Sequence, residues 1–125
     1  MNRAVFLDRD GVINKVVLRD GRPHPPPSLT AFEFLPGAVE AINRLHSAGL
    51  LNIVVTNQPD VRTGVQKQEV MEAIHDRISG ACAIDDIIVC NHVDEDHCSC
   101  RKPKGGMLLT AARRWCIGLG DSFLI

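Results

Sequence analysis

Ala4-Val5-Phe6-Leu7 is an unbroken apolar run that stops at Asp8, the pattern of a strand covered on both faces. Residues 19–30 hold Gly21, Pro23, Pro25, Pro26, Pro27 and Ser28, which exclude helix and inner strand. They read as a proline-stiffened surface loop, with a loop that caps a site as the alternative. Pro36-Gly37 then opens a helix: Val39, Ile42, Leu45 and His46 recur at three- and four-residue spacing, and Gly49 supplies a stop. Residues 50–55 form a second buried strand, broken by Thr56-Asn57-Gln58-Pro59. The spacing predicts a second helix over residues 67–79, with Val70, Ile74 and Ile78 on one face. Residues 86–90 give a third strand, residues 106–116 a third helix, and residues 122–125 begin a fourth strand.

Nearly uniform apolar strands alternating with helices imply an α/β fold, a parallel sheet with helices on both faces. Ligands of such sheets bind beyond the carboxyl ends of the strands. The conspicuous polar residues stand at those ends: Asp8 and Asp10, Thr56 and Asn57, and the segment after Cys90.

Composition narrows the classes. A chain of 125 residues predicts one domain, and the 45% apolar and 23% charged fractions exclude wholesale disorder. A net charge of −1 and only four Phe and one Trp argue against nucleic acid as a partner. No apolar stretch approaches the ~20 residues that cross a bilayer, so no membrane partner is expected. The apolar run before Asp8 is too short for a signal-peptide core, which makes the cytoplasm the expected compartment. Five cysteines without a secretory signal do not suggest a disulfide framework. Cys82 and Cys116 read as small buried hydrophobes.

Asp8-Arg9-Asp10-Gly11-Val12 places two carboxylates at a strand end, where they can gather around a divalent cation, and Gly11 allows a tight turn. A metal-held carboxylate can also act as a nucleophile, with its neighbour as general acid and base. A calcium loop is excluded, since Arg19 occupies the twelfth position. Cys90-x-His92-x5-Cys98-x-Cys100 offers three thiolates and an imidazole, a closed set of the kind that holds structural Zn²⁺. Reduced thiols in a loop are the plainer alternative; His97, Asp94 and Asp96 are substitute ligands, although oxygen suits such a site less.

Three segments in order carry a resemblance: residues 6–14 (FLDRDGVIN), residues 55–58 (VTNQ) and residues 98–104 (CSCRKPK). The chain resembles the haloacid dehalogenase-like phosphatases, and within them the small-cap subgroup of heptose bisphosphate phosphatases and histidinol-phosphatases. The resemblance implies a three-layer Rossmann-like fold with no large cap domain and a zinc-binding loop. It implies that Asp8 is the nucleophile, that Asp10 protonates the leaving oxygen and later activates water, and that both contact Mg²⁺, Asp10 through its carbonyl. It makes Thr56 a hydroxyl donor to the transferring phosphoryl group and Lys102 the cation joining nucleophile and phosphate. Asn57 and Arg101 are expected to bind substrate, Arg101 through its planar fork. The Cys-x-His…Cys-x-Cys loop also occurs in both subgroup families, which favours zinc at Cys90, His92, Cys98 and Cys100.

The expected substrate is a heptose bisphosphate losing its 7-phosphate. Histidinol phosphate, with its amino-alcohol leaving group, is the alternative, and a non-catalytic, zinc-stabilised phosphate-binding remnant is the reading from another class. The resemblance places an acidic motif after the fourth strand, where this sequence stops. The expectation is therefore a single domain cut short before that motif, with doubtful activity of its own and self-association through the surface left open.

Overall fold

A computed structural model describes residues 1–125, the side chain of Asp94 excepted. The central sheet has four parallel strands in the order β5-β4-β1-β6, where β1 is Ala4–Leu7, β4 Leu51–Asn57, β5 Asp86–Cys90 and β6 Phe123–Leu124. Strand side chains alternate between faces, so β1 feeds two cores at once. Val5 and Leu7 join Val54, Ile42, Ile74 and Ile78 on the face covered by α1 (Ala38–Ser47) and α3 (Gln68–Ala81). Ala4 and Phe6 join Ile53, Val55, Met107 and Ala111 on the face covered by α4 (Gly106–Trp115). Each large apolar side chain so buried contributes roughly 1.5–3 kcal/mol. The three-layer architecture expected from the sequence is the one observed. No helix among the described residues is long and apolar enough to cross a membrane.

Four local departures have physical causes. β4 runs two residues past its apolar stretch, because Thr56 and Asn57 pair with Val89 and Cys90 and are held by the ladder. The proline-rich loop contains an antiparallel hairpin, β2 (Val17–Arg19) and β3 (Arg22–His24), whose register puts Pro23 on an edge that needs no donor. A four-residue helix, α2 (Pro59–Arg62), opens directly after β4, with Pro59 at its first turn, where a missing N–H costs nothing. Cys116 is exposed rather than buried: it caps α4 in the left-handed conformation (φ 52°), which turns it away from the core. His46, expected on the apolar face of α1, is exposed as well.

β6 lies at the sheet edge beside β1, with Phe123, Leu124 and Ile125 all more than half exposed. The pairing continues beyond the strand: the Ile125 N–H donates to Phe6 O (2.9 Å) and the Asp8 N–H to Ile125 O (3.1 Å). The carboxyl ends of β1, β4 and β5 therefore open side by side, at Asp8, Asn57 and Cys90.

Candidate active site and metal centre

The turn after β1 builds the first half of the site. Gly11 takes a positive φ (84°), and the Ile13 and Asn14 N–H groups fold back to Arg9 O, which sets Asp8 and Asp10 at the end of the strand. Asp8 Oδ1 accepts from the Arg9 N–H at 2.8 Å and from Lys102 Nζ at 2.9 Å. Its side chain remains 43% exposed, so the carboxylate is both charge-compensated and accessible.

Asp10 is held more tightly. Its Oδ1 accepts from Arg9 Nη2 (2.9 Å), Arg9 Nε (3.3 Å) and Asn14 Nδ2 (3.0 Å), and its Oδ2 from Gln58 Nε2 (2.8 Å). Three donors crowd Oδ1 and one reaches Oδ2, so Asp10 keeps a lone pair of Oδ2 for a proton and can offer a cation its main-chain carbonyl. The exposed Asp8 carboxylate with a neighbouring carbonyl fits Mg²⁺, which binds through one or two carboxylates and keeps several waters.

β4 supplies the next residues. Thr56 is buried, and its Oγ1 accepts from Gln58 Nε2 at 2.9 Å, which leaves the hydroxyl proton free to be donated elsewhere. Asn57 Oδ1 accepts the Lys102 N–H at 3.1 Å. Asn57 thus reaches the site partly through the lysine segment. Asp10, Asn57, Gln58 and Asp60 line a cavity of about 330 Å³, closed on its far side by Pro23 and His24 of the hairpin. Asp60 Oδ2 lies 3.4 Å from His24 Nδ1 and 3.8 Å from Arg19 Nη2, fastening the hairpin to α2. The proline-rich segment is thereby a wall of the cavity, not the plain surface excursion favoured by its sequence.

The segment after β5 gathers Cys90, His92, Cys98 and Cys100, whose ligand atoms all lie within 4.8 Å of one another. Cys90 Sγ is 2.8 Å from Cys100 Sγ, 3.7 Å from Cys98 Sγ and 3.5 Å from His92 Nδ1, and His92 Nδ1 is 3.2 Å from Cys100 Sγ. A zinc tetrahedron has edges of about 3.5–3.8 Å, from metal–sulfur bonds of about 2.3 Å; the Cys90–His92 and Cys90–Cys98 distances match it, and the Cys90–Cys100 pair would open by about 1 Å around the ion. Their protonation points the same way. At Cys98 the effect of burial is outweighed by the Arg101 N–H and the neighbouring thiols, which bring it down to about 6. Cys100 is pushed up to about 12, by burial first and then by Cys90 and Cys98. Cys100 thus holds a proton that a dication would displace, whereas Cys98 gives its proton up readily. The Asp94 side chain lies outside the described residues. Arg101 lies beside this cluster and off the large cavity, its Nη1 donating to His92 O at 3.1 Å.

Three residues of the site escaped the sequence reading. Arg9 is fully buried, and Gln58 and His75 face it: Arg9 Nη2 lies 3.3 Å from Gln58 Oε1 and Arg9 Nη1 lies 3.0 Å from His75 Nε2. Burial, and then the Arg9 cation, push the His75 imidazole down to about 4. A signal for His75 did exist. It shares a helical stripe with Met71, Ile74 and Ile78, all three buried, so it is a polar residue on the core-facing side.

No protein-family model matches the chain. It is 36% identical over 122 residues to the D-glycero-beta-D-manno-heptose-1,7-bisphosphate 7-phosphatase of Bordetella bronchiseptica, covering 94% of this chain and 65% of that protein. It is 32% identical to the enzyme of the same name from Pasteurella multocida, covering 100% of this chain and 71% of the relative. The crystal structure of the Bordetella bronchiseptica D,D-heptose 1,7-bisphosphate phosphatase, complexed with magnesium and phosphate, superposes with a TM-score of 0.79 at 34% identity. That match covers 94% of this chain and 65% of the other. The chain thus spans about two-thirds of the length of these relatives. Sequence and fold agree over that span, and the chain belongs to the D-glycero-D-manno-heptose-1,7-bisphosphate 7-phosphatase family, within the haloacid dehalogenase-like phosphatases.

Proposed function

We propose that the protein hydrolyses the 7-phosphate of D-glycero-D-manno-heptose 1,7-bisphosphate through a phospho-aspartate on Asp8. The observation that carries the reading is the Asp8–Lys102 pair: a carboxylate oxygen 2.9 Å from an ammonium, at a strand end, with part of its surface open to substrate. The names and the bound magnesium and phosphate of the relatives support it.

In the proposed reaction an Asp8 oxygen attacks phosphorus, the bond from phosphorus to the sugar oxygen breaks, and Asp10 gives that oxygen a proton. Water then attacks the phospho-aspartate, Asp10 takes its proton, and inorganic phosphate leaves. Lys102 neutralises charge on both the carboxylate and the phosphoryl oxygens, and the Thr56 hydroxyl donates to those oxygens. Asn57 holds the Lys102 main chain in place. Arg101 supports a second anionic group or the loop that carries it. Magnesium held by the Asp8 carboxylate and the Asp10 carbonyl supplies further charge neutralisation. Cys90, His92, Cys98 and Cys100 would hold zinc as a structural ion.

The test is phosphate release by the full-length, magnesium-supplied protein from heptose 1,7-bisphosphate and from histidinol phosphate, with the residual sugar phosphate identified by ³¹P NMR. The 1-phosphate sugar is the expected product. Faster turnover of histidinol phosphate would reassign the substrate, and no turnover of any phosphate ester would leave a phosphate-binding module.

A further inference from the structure

We infer that Arg9 and His75 are positioning residues for Asp10: a buried guanidinium, anchored on an imidazole of α3, fixes the carboxylate that protonates the leaving oxygen. The inference rests on the phosphatase reading above and goes beyond it, since it assigns work to residues that do not meet the substrate. Arg9 has no exposed surface, so it acts only through its neighbours. Its planar fork donates through Nε and Nη2 to Asp10 Oδ1, through Nη2 also to Gln58 Oε1, and through Nη1 to His75 Nε2.

The direction of each bond follows from chemistry. A guanidinium has only donors, so His75 Nε2 is the acceptor and the imidazole is neutral, with its proton on Nδ1. Gln58 is oriented in the same way: its oxygen faces Arg9, which leaves its amide protons for Asp10 Oδ2 and Thr56 Oγ1. Asp10 therefore has one available position, set by a cation whose own orientation depends on α3. If His75 is lost, a buried N–H of Arg9 has no partner, and the fork can swing to find one. A displacement of about 1 Å in a reacting group can cost ~10²-fold in rate.

Leaving-group chemistry separates this role from a merely structural one. A sugar alkoxide needs a proton as it departs, whereas nitrophenolate leaves as an anion. The full-length, magnesium-supplied protein is assayed on a sugar phosphate and on p-nitrophenyl phosphate. In His75→Leu, kcat/KM, which ends at departure of the leaving group and leaves out the water step that Asp10 also serves, should fall by about 10²-fold on the sugar phosphate and by less than about threefold on the nitrophenyl ester. His75→Gln, whose side-chain oxygen can accept from Arg9 Nη1, should recover most of the loss. His75→Val, which likewise offers Arg9 no acceptor, takes the place of His75→Leu if the leucine variant does not fold. Equal losses of kcat/KM on both esters, or a glutamine variant no better than leucine, would overturn the inference. A wild-type protein inert to both esters is a different result, and overturns the phosphatase reading itself.

Discussion

The buried imidazole of His75 makes stability depend on pH in a calculable way. In the folded protein it is pushed down to about 4, from an ordinary 6.5, by burial and by Arg9. Above the unfolded value neither state binds the proton. Between the two values the unfolded chain binds it and the folded protein refuses it, so stability falls as pH falls. Below the folded value both states are protonated and the loss levels off. Acidification from about pH 7.5 to about pH 5 should remove about 2 kcal/mol through this one group, at up to about 1.4 kcal/mol per pH unit. For a domain with ~5–15 kcal/mol in total, that is a shift of about 1 M in the urea midpoint. The assay is urea unfolding of wild type and His75→Gln across this range. Glutamine keeps an acceptor for Arg9 and does not titrate, so the difference between the two curves isolates His75 from the carboxylates and the other histidines. The gap should change by about 2 kcal/mol in favour of the variant as pH drops. Curves that stay parallel would show that His75 is not held neutral by burial and Arg9, and would refute the argument.

Four further outcomes are expected. Asp8→Asn should lower turnover of every phosphate ester by on the order of 10³-fold or more, because the nucleophile is gone; a tenth of wild-type activity in a pure sample would exclude the assignment. The protein should carry about one zinc by elemental analysis, and Cys98→Ser, or chelation, should remove it and lower the melting temperature by at least about 5 °C. Gly106→Ala should destabilise by about 2 kcal/mol or more in urea unfolding, since a Cβ there collides with the Ser99 carbonyl, while Gly105→Ala, with open space around it, should be near neutral. Asn57→Ala should lower kcat by about tenfold by freeing the Lys102 main chain, and by more once zinc is removed, as a double-perturbation cycle would measure.

The sheet and its helices were legible because the apolar runs of β1 and β4 are buried on both faces and that of β5 is half-buried at the edge, and such runs are visible without tertiary context. The motif residues were legible because they sit at strand ends, where polar residues interrupt apolar ones. What escaped was set by contacts distant in sequence. The hairpin forms because Asp60, 36 residues away, meets His24. Cys116 is exposed because α4 ends in a left-handed turn, which nothing in its immediate sequence announces. Arg9 stands between the two motif carboxylates, and the local sequence cannot tell whether it points outward or inward. Its burial is decided by His75 on α3 and by Gln58 after β4, 66 and 49 residues on. A cation inside the fold requires such partners, and no periodicity rule finds them.

The two clusters meet at Lys102, and that junction couples the cysteine loop to the Asp8 carboxylate. The Arg101 N–H donates to Cys98 Sγ at 3.4 Å, and Lys104 Nζ donates to Cys98 O at 2.6 Å. These bonds tie the residue before Lys102, and the residue two positions after it, to the same cysteine. From the other side, Asn57 takes the Lys102 N–H, and Asn57 is itself fixed in register opposite Cys90. Lys102 is thus suspended between the end of β4 and the metal loop, and its ammonium reaches Asp8. A flexible four-carbon side chain alone would hold that charge poorly, since Lys carries roughly 2 kcal/mol of rotamer entropy. Fixing its main chain from two directions reduces the volume its ammonium can search. On this geometry a zinc ion held by Cys90, His92, Cys98 and Cys100 would touch no substrate and would still order the loop that carries Lys102, the cation paired with Asp8.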